Sequence, residues 1–192
     1  MYVKKIIIAS ILCFPLLMGW SSITNDDDKK EAAKKEKSLK AFEIVMDVIT
    51  SPRCINCHPT DDYPRQTDAQ IQHLFGVERG PDDHGLAVLQ CNSCHHEENN
   101  PYSNIPGAPH WGLAPKSMGW LGLSRTEIGQ VLVDSTKNGG RTPEALVKHM
   151  SEDALVLWAW EPGENRTVPP VPFKEFKKAL KTWLDNGAFV PK

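Results

Sequence analysis

Apolar positions along the chain fall into helical spacing in several places, and no stretch reads as a convincing strand. Leu39, Phe42, Val45, Met46 and Ile49 predict a helix. It should end near Ser51, because Pro52 disfavours helix in the residue before it. Ser124 and Glu127 form a capping box ahead of Ile128, Val131 and Leu132. Thr142 with Pro143 is an N-cap and first-turn pair ahead of Leu146, Val147 and Met150. Ser151, Glu152 and Asp153 open a short apolar helix through Leu155, Val156 and Trp158. Phe173, Phe176, Leu180, Trp183 and Leu184 define a last helix, closed by Gly187. A short helical stretch is also expected over residues 67–75. The pattern predicts a mainly α, loop-rich fold with little or no strand.

Between these elements the chain is polar or irregular. Residues 1–22 read as a signal peptide or N-terminal anchor, with Lys4 and Lys5 ahead of an apolar run and small residues at Gly19, Ser21 and Ser22. Trp20 sits where a small residue would suit cleavage better, and Cys13 follows Leu12, too large for a good lipoprotein site. Residues 23–38 are charged on both signs and read as a solvated tether. The domain proper is expected over residues 39–192. Within it, residues 59–90 and 99–120 are turn-rich, the second set with Pro, Gly and Trp, and residues 161–172 form a proline-rich loop.

Composition narrows the class. The chain has 192 residues and a formal net charge of −2. Without Lys4 and Lys5, 20 basic residues stand against 24 acidic ones, and no basic stripe suggests nucleic acid. There is no glycine-rich phosphate loop and no serine–histidine–acid arrangement. Fifteen prolines and thirteen glycines suit a loop-rich domain whose core is partly built from bound groups.

The chemistry lies in two pentapeptides, Cys54-Ile55-Asn56-Cys57-His58 and Cys91-Asn92-Ser93-Cys94-His95. Each is C-x-x-C-H, the attachment pattern for c-type haem. Two thiols on one turn can each form a thioether to a vinyl group, and the next residue offers its imidazole to the iron. Cys54, Cys57, Cys91 and Cys94 would hold two covalently bound haems, with His58 and His95 as proximal ligands. A four-cysteine zinc site would have to explain why histidine follows both second cysteines. A redox-active C-x-x-C needs the strand–helix alternation of a thioredoxin-like fold, which the pattern lacks.

The sixth ligands stay open between His73, Met118 and His149. His73 lies between the motifs beside Leu74 and Phe75. Met118 sits between tryptophans in the loop after both motifs, where small cytochromes commonly place an axial methionine. His149 is on an apolar helix next to Met150. Met150 is a further candidate; His84, His96 and His110 read mainly as exposed polar residues, and Met46 as apolar packing. Arg79 and Arg141, each beside glycine, could pair with propionates or be plain surface residues. The tryptophans after the leader are expected to line the haems, as packing.

Further motifs carry a resemblance. S-P-R-C-x-N-C-H-P, His73 with Arg79-Gly80, P-G-A-P-x-W-x-L-A-P-x-x-M-x-W, N-G-G-R and W-x-W-x-P-G run over residues 51–188. Together they resemble the small dihaem cytochromes described as isoquinoline 1-oxidoreductase subunits. The resemblance implies a redox protein partner, a molybdenum hydroxylase of the xanthine-oxidase type, for which the chain would be the electron acceptor. Relatives often carry two further cysteines, near the positions of Ile128 or Gly129 and of Phe189. This chain lacks them, so a stapling disulfide would be absent.

The expected function is electron transfer by an exported dihaem c-type cytochrome, periplasmic or on the outer face of the bacterial inner membrane, where haem is attached to C-x-x-C-H. It is read as a carrier and not as an enzyme. The alternative is a small dihaem enzyme of peroxidase-like type with one open haem site, which would need an acid–base group beside that iron. A haem-based sensor or structural module is a third reading.

Overall fold

In the computed structural model, residues 20–192 are described, with side chains from Asp26 onward. The signal or anchor of residues 1–22 lies almost wholly outside them. Among the described residues no helix is long and apolar enough to cross a membrane. The chain divides into two compact units, the first ending at Ala33 and the second running from Lys34 to Lys192. Both C-x-x-C-H motifs belong to the second unit.

Among the described residues six α-helices carry the fold: α1 (Trp20–Ile49), α2 (Pro52–Ile55), α3 (Arg125–Val133), α4 (Pro143–Glu152), α5 (Ala154–Leu157) and α6 (Phe173–Asp185). Two short antiparallel hairpins accompany them, β1 (Arg65–Gln66) with β2 (Ile71–Gln72) and β3 (Gly85–Leu86) with β4 (Leu89–Gln90). The fold is therefore mainly helical, with little strand.

The capping chemistry expected from the sequence sets the helix boundaries. Glu127 N donates to Ser124 Oγ at 3.3 Å, and Ser124 N donates back to Glu127 Oε2 at 2.8 Å. Thr142 Oγ1 accepts from Ala145 N at 3.2 Å. Gly187, at φ +97°, closes α6 as Ala188 N donates to Trp183 O. Asp153 caps α5, accepting from Leu155 N at 3.0 Å, so the helix there starts later than its first polar residues suggest.

Two expectations are corrected. The charged segment expected as a tether is helical, as part of α1. Residues 26–37 are all exposed, as a solvated segment should be, but their Ala, Glu and Lys content favours helix, and Lys40 pairs with Glu36 at 2.6 Å across one turn. The expected helix over residues 67–75 is instead the β1–β2 hairpin and a 3-10 turn at Leu74–Gly76. Thr67, Gln70 and Phe75 all adopt positive φ, which no helix of L-residues tolerates.

The core forms where α1, α3, α4 and α6 contribute their apolar faces. Phe42, Val45, Met46 and Ile49 of α1 are fully buried with Ile128, Leu132, Leu180 and Trp183. Phe42 meets Trp183 edge-on at 5.7 Å. Ser38 fastens the C-terminus to this core, donating to Trp183 O and accepting from Phe189 N, both at 3.0 Å. No residue of this core lies between Ile55 and Met118. That stretch, which holds most of the first C-x-x-C-H motif and all of the second, touches this core only at its edge, through Ala114.

Candidate haem-attachment site

Ser51 O accepts from Cys54 N and Ile55 N, and α2 winds Cys54 and Cys57 onto one turn. His58 N then donates to Ile55 O at 3.0 Å. The second motif turns more tightly, as a 3-10 segment over Cys91–Ser93, with Cys94 N and His95 N both donating to Cys91 O. Each motif thus presents two thiols and an imidazole from one backbone turn.

The two imidazoles are held in the same manner. His58 Nδ1 donates to Met118 O at 2.7 Å, and His95 Nδ1 donates to Pro106 O at 2.7 Å. A carbonyl oxygen only accepts, so Nδ1 carries the proton on both rings and Nε2 is left as the lone-pair nitrogen. Each ring also lies flat on a tryptophan. His58 stacks on Trp120 with centroids 3.5 Å apart, and His95 on Trp111 at 4.6 Å, both within 5° of parallel. Burial lowers the basicity of both rings, His58 to about 4 and His95 in the same direction, so both are neutral at pH 7.

A glycine follows each accepting carbonyl. A side chain on Gly107 would meet Glu98 O at 2.2 Å and His96 O at 2.5 Å. One on Gly119 would meet Pro59 O and Thr60 Cα at 2.9 Å. The Pro106-Gly107 and Met118-Gly119 loops can approach their histidines only because these positions lack a Cβ. This duplicated support of carbonyl, glycine and tryptophan is not evident from the sequence, in which the tryptophans read as packing. The two X-Gly steps with a Trp close behind are the only local sign of it.

A cavity of about 310 Å³ opens in front of His58. Cys54, Cys57, Leu132, Leu146, His149 and Leu155 are among the residues that line it. Burial raises the Cys54 thiol to about 12 and the Cys57 thiol to about 11. Catalytic C-x-x-C thiols are shifted the other way, toward thiolate. All four motif cysteines are unbridged, and among the described residues no three His, Cys, Asp or Glu side chains converge as a metal cluster. That geometry does not suit a four-cysteine zinc site.

The candidate distal residues separate clearly. Met118 is buried, but its carbonyl lies behind His58, on the Nδ1 side of the ring. Its carbonyl thus supports the proximal ring, while the residue is also among those that line the cavity in front of His58. His149, on α4, lines the cavity with its Nδ1 3.2 Å from Asp153 Oδ2, leaving Nε2 as the lone-pair nitrogen. Burial lowers its basicity too, with Arg141 adding to the effect. His73 follows β2 and lies near His95, with ring centroids 6.1 Å apart. His84 and His110 line the cavity as well, and both are exposed, as is His96.

The arginines also sort themselves. Arg79 is not a surface residue. It is buried, donating to Ala114 O at 2.5 Å and to Pro59 O and Asp61 O at 3.2 Å, and paired with Asp83. Arg141 lines the cavity, and so does Arg53, the arginine just before the first motif cysteine. Arg53 is 4% exposed and pairs with Asp68, yet its Nε is buried without a partner. An apolar cavity, two neutral thiols, a lone-pair imidazole and an unpartnered guanidinium N–H together fit a covalently held haem with a carboxylate to be neutralised. Compared with family models, curated proteins and solved structures, the chain matches none of them.

Proposed function

We propose that the protein is a dihaem c-type cytochrome whose work is electron transfer. The observation that carries the reading is the duplicated support: two C-x-x-C-H turns, each with Nδ1 of its histidine on a carbonyl and the ring flat on a tryptophan. Structural cysteines and ordinary core histidines do not call for that arrangement twice. A hydrogen bond from Nδ1 fixes the ring and its tautomer and raises its basicity toward a metal, the usual task of the residues behind a ligand. When bound, each haem iron would carry one electron by cycling between ferric and ferrous states.

The chain's own residues set the conditions. Cys54 and Cys57 would hold one porphyrin, and Cys91 and Cys94 the other. His58 and His95 would each hold an iron through Nε2, and His149, which lines the same cavity as His58, would supply a second nitrogen there. Asp153 orients His149 and makes it a stronger donor. Arg53 and Arg141 face the same cavity and supply positive charge for propionates. The two motifs are close enough that the Cys91 thiol contributes to the shift at Cys57, as suits electron passage between two groups in one small domain.

The resemblance extends the proposal to an acceptor subunit for a molybdenum hydroxylase, outside the bacterial inner membrane, where C-x-x-C-H motifs are loaded. An intact mass on the exported protein tests the central claim. Two added haems with a Soret band support it; a zinc-sized gain without Soret absorption sinks it. Carbon monoxide tests the peroxidase-like alternative. Two haems with protein ligands on both faces ignore it after reduction, whereas binding at one haem would favour an enzyme with an open site.

A further inference from the structure

The His73–His95 pair carries an inference that rests on the dihaem reading and goes further. The two ring centroids are 6.1 Å apart and the ring planes cross at 74°. Subtracting about 1.1 Å from ring centre to nitrogen on each side leaves a closest nitrogen separation of roughly 3.9 Å, beyond the 2.7–3.2 Å of a hydrogen bond. Two metal–nitrogen bonds of about 2.0 Å each span about that distance. The tautomers agree. His73 Nδ1 donates to Leu74 O at 2.7 Å, as His95 Nδ1 does to Pro106 O, so both rings keep Nε2 as the lone-pair nitrogen.

The backbone around His73 is shaped for such a task. Pairing of β1 with β2 returns the chain from the first motif toward the second, and His73 N is tied to Pro64 O at 2.8 Å. Leu74 and Phe75 come next, exposed at 56% and 88%. Phe75 takes φ +67°, a left-handed conformation unfavourable for a bulky side chain. Two adjoining apolar side chains, one of them in a strained conformation, are left in solvent beside a ligand-ready imidazole. A flat apolar group beside His73 would cover them.

We infer that His73 is the sixth ligand of the iron bound through Cys91, Cys94 and His95, giving that haem two histidines with crossed imidazole planes. The geometry gives it a spectroscopic signature. Crossed imidazoles leave the iron d-orbitals nearly degenerate, so the ferric centre gives one strongly anisotropic low-spin line at high g. Parallel planes give a three-line rhombic spectrum.

The test uses the full chain with both haems, counted first by intact mass. If no haem is attached, the dihaem reading itself fails. With two haems attached, electron paramagnetic resonance of the oxidised protein should contain the strongly anisotropic line. His73→Gly should remove that line, turn about half of the iron high-spin, and recover low spin on adding free imidazole. His73 is outside the core, so this variant should fold, and the wild-type spectrum stands as an independent reading. His73→Met should instead raise the potential of one haem only. A wild-type spectrum without the anisotropic line overturns the inference. So does His73→Gly with both centres still low-spin while His84→Gly loses one.

Discussion

The indole of Trp120 lies parallel to the imidazole of His58, 3.5 Å away and within 5°. Trp120 is 3% exposed, and its Nε1 is buried without a hydrogen-bond partner. Its contribution is therefore a flat surface that stops the histidine from rotating. Trp120→Ala should cost about 3–5 kcal/mol of stability, as a buried large-to-small change does. Trp120→Phe should cost much less, because a flat ring remains and no N–H partner is lost. Chemical denaturation of the two variants decides this. Equal losses would mean that the indole nitrogen matters after all.

Glycine at 107 is expected to matter more than its loop position suggests. A methyl group there would fall 2.2 Å from Glu98 O, so the loop must back away from the second motif. Gly107→Ala should cost roughly 1–3 kcal/mol, as overpacking does. It should also loosen the Pro106 carbonyl from His95 Nδ1. A less basic imidazole favours the ferrous state, so the potential of the second haem should rise while the first stays put. A redox titration resolving the two centres checks both halves.

The helices were legible because capping and periodicity are local. Ser124 with Glu127, Thr142 with Pro143, and Gly187 all do what their neighbours in sequence suggest. The two motifs were legible for the same reason. What sequence could not show is whatever depends on two distant segments meeting. Nothing near Met118 says that its carbonyl will accept from His58, sixty residues earlier. Arg79 looked like a surface residue beside a glycine because its carbonyl partners, Pro59, Asp61 and Ala114, lie in other loops. The hairpin at residues 65–72 is hidden because non-glycine residues in and beside it take positive φ, which side-chain pattern does not encode.

Arg79 yields a prediction of its own. The guanidinium ties the chain just after His58 to Ala114 and Asp83, using a planar array of donors that lysine cannot reproduce. Arg79→Lys should destabilise by on the order of 3 kcal/mol, since carbonyls and a carboxylate lose their partner. A propionate-binding arginine would instead show its loss mainly in the potential of one haem. Thermal melting and redox titration of the same variant separate the two.

Acid should act on the first centre at a definite point. Burial holds the His58 imidazole at about 4, below its usual 6.5, so the folded state favours the neutral ring. For a base with a lowered folded value, the favourable state is fully present above the unfolded value and is lost as pH falls through the folded one. In the chain without haem a proton therefore competes for His58 only near pH 4. Iron on the same nitrogen opposes the proton further, so optical spectra of the oxidised protein should be unchanged from pH 7 to about 4 and should lose low-spin character at one haem only below that. Loss already complete at about pH 6 would contradict the burial of this ring.

Asp153 links a helix cap to His149. One carboxylate oxygen accepts from Leu155 N at 3.0 Å, and the other lies 3.2 Å from His149 Nδ1. Both groups are partly exposed, so the ion pair itself adds little to stability. The carboxylate's larger effect is on the imidazole, which it orients and makes a stronger donor to metal. Asp153→Asn keeps an oxygen for the cap and removes the charge. It should change stability by less than about 1 kcal/mol while raising the potential of the haem held by Cys54 and Cys57. Asp153→Ala should add the cap loss, about 1 kcal/mol, to the same potential change. If neither variant moves the potential while both destabilise, Asp153 is only a cap and His149 is not bound to iron. If Asp153→Asn shifts one potential and leaves folding intact, the pair belongs to the redox site, and His149 is its distal nitrogen.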